Sequence, residues 1–381
     1  MIVAGLLVAS PFTPVAAHAS ATPATEQQVC AGVPAPKLRT AQPDAHLTSL
    51  FTSYGNSDRR VDDWTGADGT YSVKLRDGRD LWIYSDTFLG QVNADGTRPP
   101  TTDDGGTTPF INNSFVLQKG NRLTTEHGGT AENPTAPMPP PDKNHWYWAG
   151  DATVAGDKVE VTYQEYERFG PGTWDWRWSR NVVAQFAQNH LSKPLSVTPL
   201  PSGQQVAWAS ALRRDGDYTY IYGVEDHDAT KYMHIARVRG ESLLGEWEYY
   251  TGNAWSTSEQ DSARVMDGVA NEYSVSRRGK VYVLVTHDTT QRLGSEIVTY
   301  YSCTPYGPFV DKTHVYSTPE TGPDGTYHNA NVFTYNAHAH PEIVRPHGDL
   351  VVSYNVNSLE PTDLYANVGV YRARFLDLAF D

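Results

Sequence analysis

Short runs of alternating apolar and polar residues recur along this chain, and they come in pairs joined by tight turns. In the first pair, residues 71–75 and 81–84 alternate, and Asp77-Gly78 lies between them. An Asp-Gly dipeptide between two alternating runs is typical of a β-hairpin. Antiparallel pairing would bring Asp68, before the first strand, and Asp86, after the second, to the same edge of the sheet.

The same hairpin unit is predicted four more times. These hairpins cover residues 148–166, 208–226, 271–288 and 340–357, with turns at Gly156-Asp157, Asp215-Gly216, Gly279 and Gly348. Third strands are predicted in residues 112–118, 181–187, 234–240, 296–302 and 367–375, and fourth strands in residues 245–252 and 307–316. Five units of three or four strands without helical periodicity between them predict an all-β fold, a five-bladed β-propeller. A pair of β-sandwiches is the alternative.

Closure of the ring is predicted to use an N-terminal strand. The fifth repeat ends after its third strand, and residues 46–54 (HLTSLFTSY) form a spare strand candidate that would cover the open edge. Residues 22–44 are rich in Pro, Ala and Thr, and they are expected to form an extended arm. The propeller domain is therefore predicted to span residues 45–381.

Residues 1–21 are predicted to be a signal peptide, since an apolar run precedes small residues suited to cleavage. A membrane anchor is the competing interpretation, but about 10 apolar residues are too few to span a bilayer. We therefore expect a secreted protein. Export permits a disulfide, and Cys30 and Cys303 are either its partners or two unpaired thiols.

The formal net charge of -14 makes nucleic acids and anionic membranes poor partners. A neutral or weakly charged substrate fits this charge better. The chain also has 10 Trp and 23 Tyr, residues that often form flat contact surfaces. We expect a monomer.

Carboxylates recur at the hairpin ends that a propeller would bring to one channel mouth. The predicted catalytic residues are Asp68, Asp86, Asp151, Glu225 and Glu272. Crowded acids raise one another's pKa, and glycoside hydrolysis needs one carboxylic acid and one carboxylate. Each residue also has a purely structural interpretation, because carboxylates at strand ends often accept backbone N–H groups.

Further residues near the predicted mouth suit the binding of sugar. The predicted substrate-binding residues are Trp148, Trp208, His340, Glu342 and Asn355. Trp174, Trp176 and Trp178 would face one way in a strand, either stacking on sugar or forming a buried face. No cofactor or metal ligand set is predicted, although a structural calcium ion stays open. A Ser-His-Asp triad also stays open, because its members are not close in sequence.

The runs GADGTYSVKLRDGRDLWIYSDTFLG, WYWAGDATVAGDKVEV and HPEIVRPHGDLVVSYNVNSLEPTDLY resemble a family of secreted bacterial domains without an assigned activity. More broadly, the chain resembles five-bladed propeller glycoside hydrolases such as arabinanases, arabinofuranosidases and fructosidases, over roughly residues 45–378. Relatives of the first family include endo-acting hydrolases of mycobacterial D-arabinan. The resemblance implies that Asp68 is the base or nucleophile, that Asp151 tunes a pKa, and that Glu225 or Glu272 is the acid. The signatures of the fructosidase branch are missing, which argues against fructan.

These patterns together predict a secreted glycoside hydrolase that cleaves a furanose-containing polysaccharide. The preferred substrate is arabinan, and endo-acting cleavage is preferred over exo-acting cleavage. A non-catalytic, lectin-like propeller is the alternative from another class. A calcium-dependent phosphoesterase propeller is the third hypothesis, since carboxylates can also bind calcium.

Overall fold

Five antiparallel sheets follow one another along the chain and form the blades of a propeller. The computed structural model describes residues 30–31, 33–57, 59–172, 175–228 and 230–381. Blade one consists of strands Tyr71–Lys74, Asp80–Tyr84, Ser114–Lys119 and Arg122–Glu126. Blade two consists of His145–Ala155, Lys158–Arg168, Trp176–Ala187 and Ser196–Pro199. The predicted Asp-Gly and Gly-Asp turns join the first two strands of each of these blades.

The remaining three blades repeat this order. Blade three consists of Val206–Asp215, Tyr218–His227, Thr230–Arg239 and Trp247–Tyr250, with Trp255–Ser256 paired to the fourth strand and Met266–Asp267 paired to the third. Blade four consists of Tyr273–Arg278, Val281–His287, Glu296–Ser302 and Val310–Ser317. Blade five consists of Val332–Ala339, Leu350–Ser358, Arg374–Phe380 and Leu38–Pro43. The first strands of successive blades lie side by side around a central channel, which confirms the predicted five-bladed fold.

Short elements fill the connections. Strands Trp64–Ala67, Thr87–Leu89 and Phe110–Ile111 form a small sheet beside blade one, and Gly128–Gly129 pairs with Pro134–Thr135. The helices are Ala45–Gly55, Asp363–Ala366 and the 3₁₀ turns Glu259–Asp261 and Val368–Tyr371. None of the helices in these ranges is long and apolar enough to cross a bilayer.

An N-terminal strand does close the ring, but it is not the predicted one. Leu38–Pro43 pairs antiparallel with the last strand, Arg374–Phe380, and becomes the outermost strand of blade five. The predicted strand at residues 46–54 lies instead in the helix Ala45–Gly55. Asp44 caps this helix by accepting the Leu47 N–H at 2.8 Å. The buried positions Leu47 and Phe51 are four residues apart, which is the spacing of one helix face.

Two further predictions about blade five are wrong. The hairpin predicted at residues 340–357 starts too late, because its first strand is Val332–Ala339, and Glu342 lies in the connection after this strand. The intervening segment holds Pro341 and Pro346, which cannot donate to a sheet ladder. The predicted third strand at residues 367–375 begins only at Arg374, since Val368–Tyr371 forms a 3₁₀ turn.

Aromatic packing attaches the N-terminal helix to the ring. Phe51 lies in the core, with its ring edge-on to Trp64 and Trp82 and stacked on Phe375 at 5.4 Å. Trp82 belongs to blade one and Phe375 to blade five, so this cluster packs the seam at which the ring closes.

Cys30 and Cys303 form a disulfide, with their Cα atoms 5.3 Å apart. The bond ties the segment before Leu38–Pro43 to the loop that follows the third strand of blade four. It indicates an oxidising, extracytoplasmic location. The predicted signal peptide, residues 1–21, lies outside the described residues.

Candidate functional site

The two ends of the first hairpin meet at one edge, as predicted from their positions. The N–H of Asp68 donates to the carbonyl oxygen of Asp86 at 3.2 Å, and the N–H of Ser85 donates to the carbonyl oxygen of Asp68 at 2.8 Å. Both aspartate side chains are half-buried. Gly69 follows with a φ of +63°, and a Cβ there would meet Ser85 Oγ at 2.7 Å, so this close crossing requires glycine.

Asp68 is held by two tyrosines of blade five and its C-terminal connection. The hydroxyl of Tyr335 donates to Asp68 Oδ2 at 2.5 Å, and it accepts from Asn357 Nδ2 at 3.0 Å. Burial raises the pKa of Asp68 to about 6, against the lowering effect of hydrogen bonds from Tyr335 and Tyr371. Asp68 Oδ1 is buried and has no hydrogen-bond partner among the described residues. An unsatisfied buried carboxylate oxygen in a native fold suggests a functional role.

Asp86 lies within electrostatic reach of Asp68. Its Oδ1 accepts from Asn112 Nδ2 at 2.9 Å and from Trp148 Nε1 at 2.8 Å. Burial, and then the charge of Asp68, raise the pKa of Asp86 to about 7. The two aspartates therefore resist simultaneous ionisation near neutral pH.

Glu272 brings a third carboxyl from the opposite side of the ring, just before the first strand of blade four. Burial, and then the charge of Asp68, raise its pKa well above the ordinary value, and a hydrogen bond with Tyr71 opposes this. Its Oε2 is buried and lacks a hydrogen-bond partner in the described part of the chain. Asp68, Asp86 and Glu272 thus form one electrostatic unit, which we name the acid cluster.

An aromatic wall stands beside the acid cluster, formed by Trp146, Trp148, Tyr166 and Trp176. The first three strands of blade two have 11, 11 and 12 residues, and their ends carry these rings. The Trp148 ring lies 4.4 Å from Tyr166 and 5.1 Å from Trp176, centroid to centroid. All four side chains are half-buried, so part of each ring remains open to a ligand at the mouth.

The predicted row of three tryptophans is divided in the structure. Trp176 joins the aromatic wall, whereas Trp178 packs against the hydrophobic core of blades three and four. Trp174 lies outside the described residues.

Asp151 is buried, and its carboxylate has no described hydrogen bond to the acid cluster. It accepts backbone N–H groups from Ala152 at 2.7 Å and from Leu212 at 2.6 Å, which ties blade two to blade three. Burial raises its pKa to about 7. Asp151 also lines a cavity of about 330 Å³ formed by residues of all five blades. We therefore do not count it among the groups of the acid cluster.

Glu225 is an ion-pair partner at the rim of blade three. Arg264 donates to both of its oxygens, at 2.6 and 2.7 Å. The hydrogen bonds of Arg264, then those of His227 and His234, outweigh burial and lower the pKa of Glu225 to about 2. A carboxylate with so low a pKa is ionised near neutral pH and has no proton to donate. Glu272 therefore suits the role of acid better than Glu225.

Among the predicted substrate-binding residues, Trp148 contacts the acid cluster. Trp208 lies in the core, with a side chain 1% exposed and its Nε1 donating to Glu259 at 3.0 Å. Asn355 is fully buried and donates to Thr70 Oγ1 at 3.0 Å, so it supports the loop that carries Asp68.

His340 and Glu342 lie at Ser72, further along the channel than Asp68. His340 is fully buried, and its two ring nitrogens contact the hydroxyls of Ser72 and Ser353. Ser72 also donates to Glu342, which lines the same cavity as Asp151. Neither residue contacts the acid cluster.

The sequence did not single out the groups that orient the acids, namely Tyr71, Tyr335, Tyr371 and Asn112. A tyrosine in an alternating strand looks like an ordinary core residue, and no local signal distinguishes one with a carboxylate partner.

In the described ranges, no group of three or more His, Cys, Asp or Glu side chains is placed to hold a metal ion. A structural calcium ion, which the sequence analysis left open, stays open.

Structural comparison supports the fold. A protein from Bacteroides ovatus described as a "putative hydrolase" superimposes with a TM-score of 0.72 and 22% identity, over 89% of this chain and 90% of that one. A GH43_1 enzyme from Xanthomonas citri (13% identity, 83% and 87% of the two chains) gives a TM-score of 0.41. CoXyl43, a GH43 β-xylosidase/α-arabinofuranosidase from a compost metagenome (17% identity, 91% and 95%), gives 0.45. The last two scores are too low to argue from.

No curated protein matches the chain significantly. A family model does match, over residues 50–379, and it carries the description "Domain of unknown function (DUF5005)". The match runs from within the N-terminal helix into the last strand and covers most of the chain, and the chain therefore belongs to the DUF5005 family.

Proposed function

We propose that the protein is a glycoside hydrolase in which Asp68 and Glu272 carry out the chemistry. One observation carries this proposal. Two carboxyl groups from blades one and four each keep a buried oxygen without a hydrogen-bond partner in the described residues, and after burial the charge of Asp68 raises the pKa of Glu272 further. Glycoside hydrolysis uses such a pair, one protonated and one ionised.

The surroundings of the two groups suggest which is the acid. Asp68 accepts hydrogen bonds from Tyr335 and Tyr371, which stabilise its anion, so it is the first of the pair to lose its proton. Glu272 is buried and repelled by Asp68, so it keeps its proton at neutral pH. In our mechanism Glu272 protonates the leaving glycosidic oxygen, and Asp68 attacks the anomeric carbon or activates a water molecule.

Asp86 regulates the charge of this pair. Burial, and then repulsion by Asp68, raise the pKa of Asp86 to about 7 and so oppose its ionisation beside Asp68. Trp148 and Asn112 fix its Oδ1, so the position of this third carboxyl is set by the aromatic wall. We assign Asp86 as a positioning and pKa-tuning residue.

The aromatic wall and the net charge favour a neutral polysaccharide as the substrate. Rings stacked beside the acids suit the apolar faces of sugars, and the charge of -14 disfavours an anionic polymer. Arabinan is the substrate that we propose to test first, because the sequence resembles those of arabinan-degrading hydrolases.

The test measures reducing sugar released from D-arabinan, L-arabinan and levan by the wild type, Asp68→Asn, Glu272→Gln and Asp157→Asn. Asp157 lies in an exposed turn of blade two and is the matched control. We expect release from one polymer, unchanged in Asp157→Asn and reduced about 100-fold or more in the other two variants.

Aryl glycosides separate the two roles. A p-nitrophenyl leaving group needs little protonation, so Glu272→Gln should cleave it far better than it cleaves polymer, whereas Asp68→Asn should cleave neither. Equal release by wild type and Asp68→Asn would overturn the assignment. Binding of a polymer without release would indicate a carbohydrate-binding propeller instead.

A further inference from the structure

A second set of side chains with catalytic geometry lies on the rim of blade three, outside the acid cluster. The hydroxyl of Ser262 lies 2.9 Å from His234 Nδ1, and His234 Nε2 lies 3.2 Å from Glu225 Oε2. Because an ionised carboxylate can only accept, Nε2 carries the hydrogen and donates to Glu225. Nδ1 must then accept from the serine hydroxyl. This is the order of a serine, a base and an orienting carboxylate.

Other serine–histidine contacts in the described residues lack this arrangement. The hydroxyl of Ser317 and the carboxylate of Glu296 contact the same nitrogen of His314, so no relay across the ring exists. His340 has serines on both nitrogens. Within the part of the chain that the structure describes, only His234 has a serine hydroxyl and a carboxylate at hydrogen-bond distance from opposite ring nitrogens, since the carboxylate of Glu342 lies 3.9 Å from His340 Nδ1.

The charge states in this triad suit general-base catalysis. Burial lowers the pKa of His234, so its imidazole is neutral and able to accept a proton near pH 7. The hydrogen bonds of Arg264 and the two histidines hold the pKa of Glu225 near 2, so its carboxylate is ionised. Glu225 would therefore stabilise the imidazolium that forms when His234 takes the proton.

Ser262 is partly exposed, and an arginine follows it two residues later in the sequence. The serine follows the 3₁₀ turn Glu259–Asp261 and is half-buried, whereas His234 behind it is 5% exposed. The N–H groups of Ser262 and Ala263 are already used by backbone carbonyls, so a developing oxyanion needs a side-chain donor. Arg264 follows the serine by two residues, and its described hydrogen bonds to Glu225 and His227 use Nε and Nη2 and do not involve Nη1.

The rim of blade three belongs to the same mouth as the acid cluster. Burial raises the pKa of Tyr166, and the charges of Glu272 and of Asp226, the residue after Glu225, raise it further. Tyr166 is part of the aromatic wall. A polysaccharide lying across the wall would therefore pass near both sets of residues.

We propose that Ser262, His234 and Glu225 form a second catalytic site, a serine esterase that removes acyl groups from O-acylated sugars. Ser262 Oγ attacks the ester carbonyl while its proton moves to His234, and the tetrahedral intermediate expels the sugar alkoxide, which takes that proton. Water then hydrolyses the acyl-serine with His234 again as base, releasing the carboxylic acid. The sugar nature of the ester rests on the proposed glycosidase function, whereas the serine chemistry does not.

The first experiment labels the wild-type protein and Ser262→Ala side by side. A fluorophosphonate probe reacts with serines activated by a base, and intact mass with peptide mapping locates the adduct. We expect one adduct on the wild-type protein, at Ser262, and none on Ser262→Ala. Absence of an adduct at Ser262 would overturn the proposal.

Activity is then compared in Ser262→Ala, Ser317→Ala and Glu272→Gln. Hydrolysis of p-nitrophenyl acetate and acetate release from acetylated arabinan should fall about 100-fold or more in Ser262→Ala. They should not change in the other two variants. Ser317→Ala is the matched control. It removes a serine that contacts His314, whose other ring nitrogen has no carboxylate partner among the described contacts.

The outcomes separate the two activities. Glu272→Gln should lose sugar release and keep acetate release, and Ser262→Ala should do the reverse. Equal acetate release by Ser262→Ala and wild type would refute the esterase. Cleavage of p-nitrophenyl acetate alone would refute the sugar-ester assignment while retaining the serine site.

Discussion

Replacing Asp68 by asparagine should stabilise the protein, and increasingly so as the pH rises. Burial raises the pKa of this carboxyl from 3.8 to about 6. The folded protein therefore holds the proton more tightly than the unfolded chain does. Stability from this group is complete below pH 3.8 and is lost as the pH rises towards about 6. Asparagine keeps the shape of the side chain but never ionises, so the variant avoids this loss.

The magnitude follows from the pKa shift. Each pKa unit corresponds to about 1.4 kcal/mol, so the full cost of ionising Asp68 in the folded state is about 3 kcal/mol, and at about pH 4.5 it is only about 1 kcal/mol. The gain of Asp68→Asn over the wild type should therefore grow by about 2 kcal/mol between about pH 4.5 and about pH 8. Relief of Asp86 and Glu272, whose pKa values the charge of Asp68 raises, adds in the same direction.

Urea unfolding followed by tryptophan fluorescence at the two pH values measures this difference. Asp77→Asn is the control, since Asp77 is exposed in a turn beside Arg79, which helps lower its pKa. That variant should show no gain that grows with pH. If the free energy difference between Asp68→Asn and wild type is the same at both pH values, burial of the charge is not the cause.

Three further substitutions test the site and the fold. Tyr335→Phe removes a hydrogen bond that stabilises the Asp68 anion, so the acidic limb of the kcat/KM profile should move about one unit towards higher pH. Cys303→Ser should lower the free energy of unfolding by about 2–5 kcal/mol, and a reductant should then destabilise the wild type without further effect on the variant. Phe51→Ala leaves a cavity between blades one and five, and it should lower the free energy of unfolding, measured by calorimetry, by about 3–5 kcal/mol. Phe169 is 60% exposed, so Phe169→Ala should change this free energy little.

The hairpins were predictable because their signals are local. Asp77-Gly78 fixes a turn within four residues, and the register that follows from it sends Asp68 and Asp86 to one edge. The repeat of this unit then predicts the propeller, since each blade needs the next to cover its apolar face.

The partners of the acids were not predictable in this way. Tyr335 contacts Asp68 across 267 positions of sequence, and only ring closure brings them together. The helix Ala45–Gly55 was missed for a different reason, because its threonines and aromatic residues favour a strand. The capping residue Asp44 and the spacing of Leu47 and Phe51 carried the correct signal.

The pairing of Leu38–Pro43 with Arg374–Phe380 has a consequence for how the protein reaches its native state. Partners such as Leu38 and Phe380 lie at opposite ends of the described chain, so this ladder has very high contact order. Four blades can form by local pairing, but blade five keeps an uncovered edge until both of its distant parts are present, and such an edge promotes aggregation. Because the N–H of Asp381 donates to the Lys37 carbonyl at 2.9 Å, a circular permutant could join these two positions by a short turn. In that permutant the slow closing step becomes the formation of a simple hairpin.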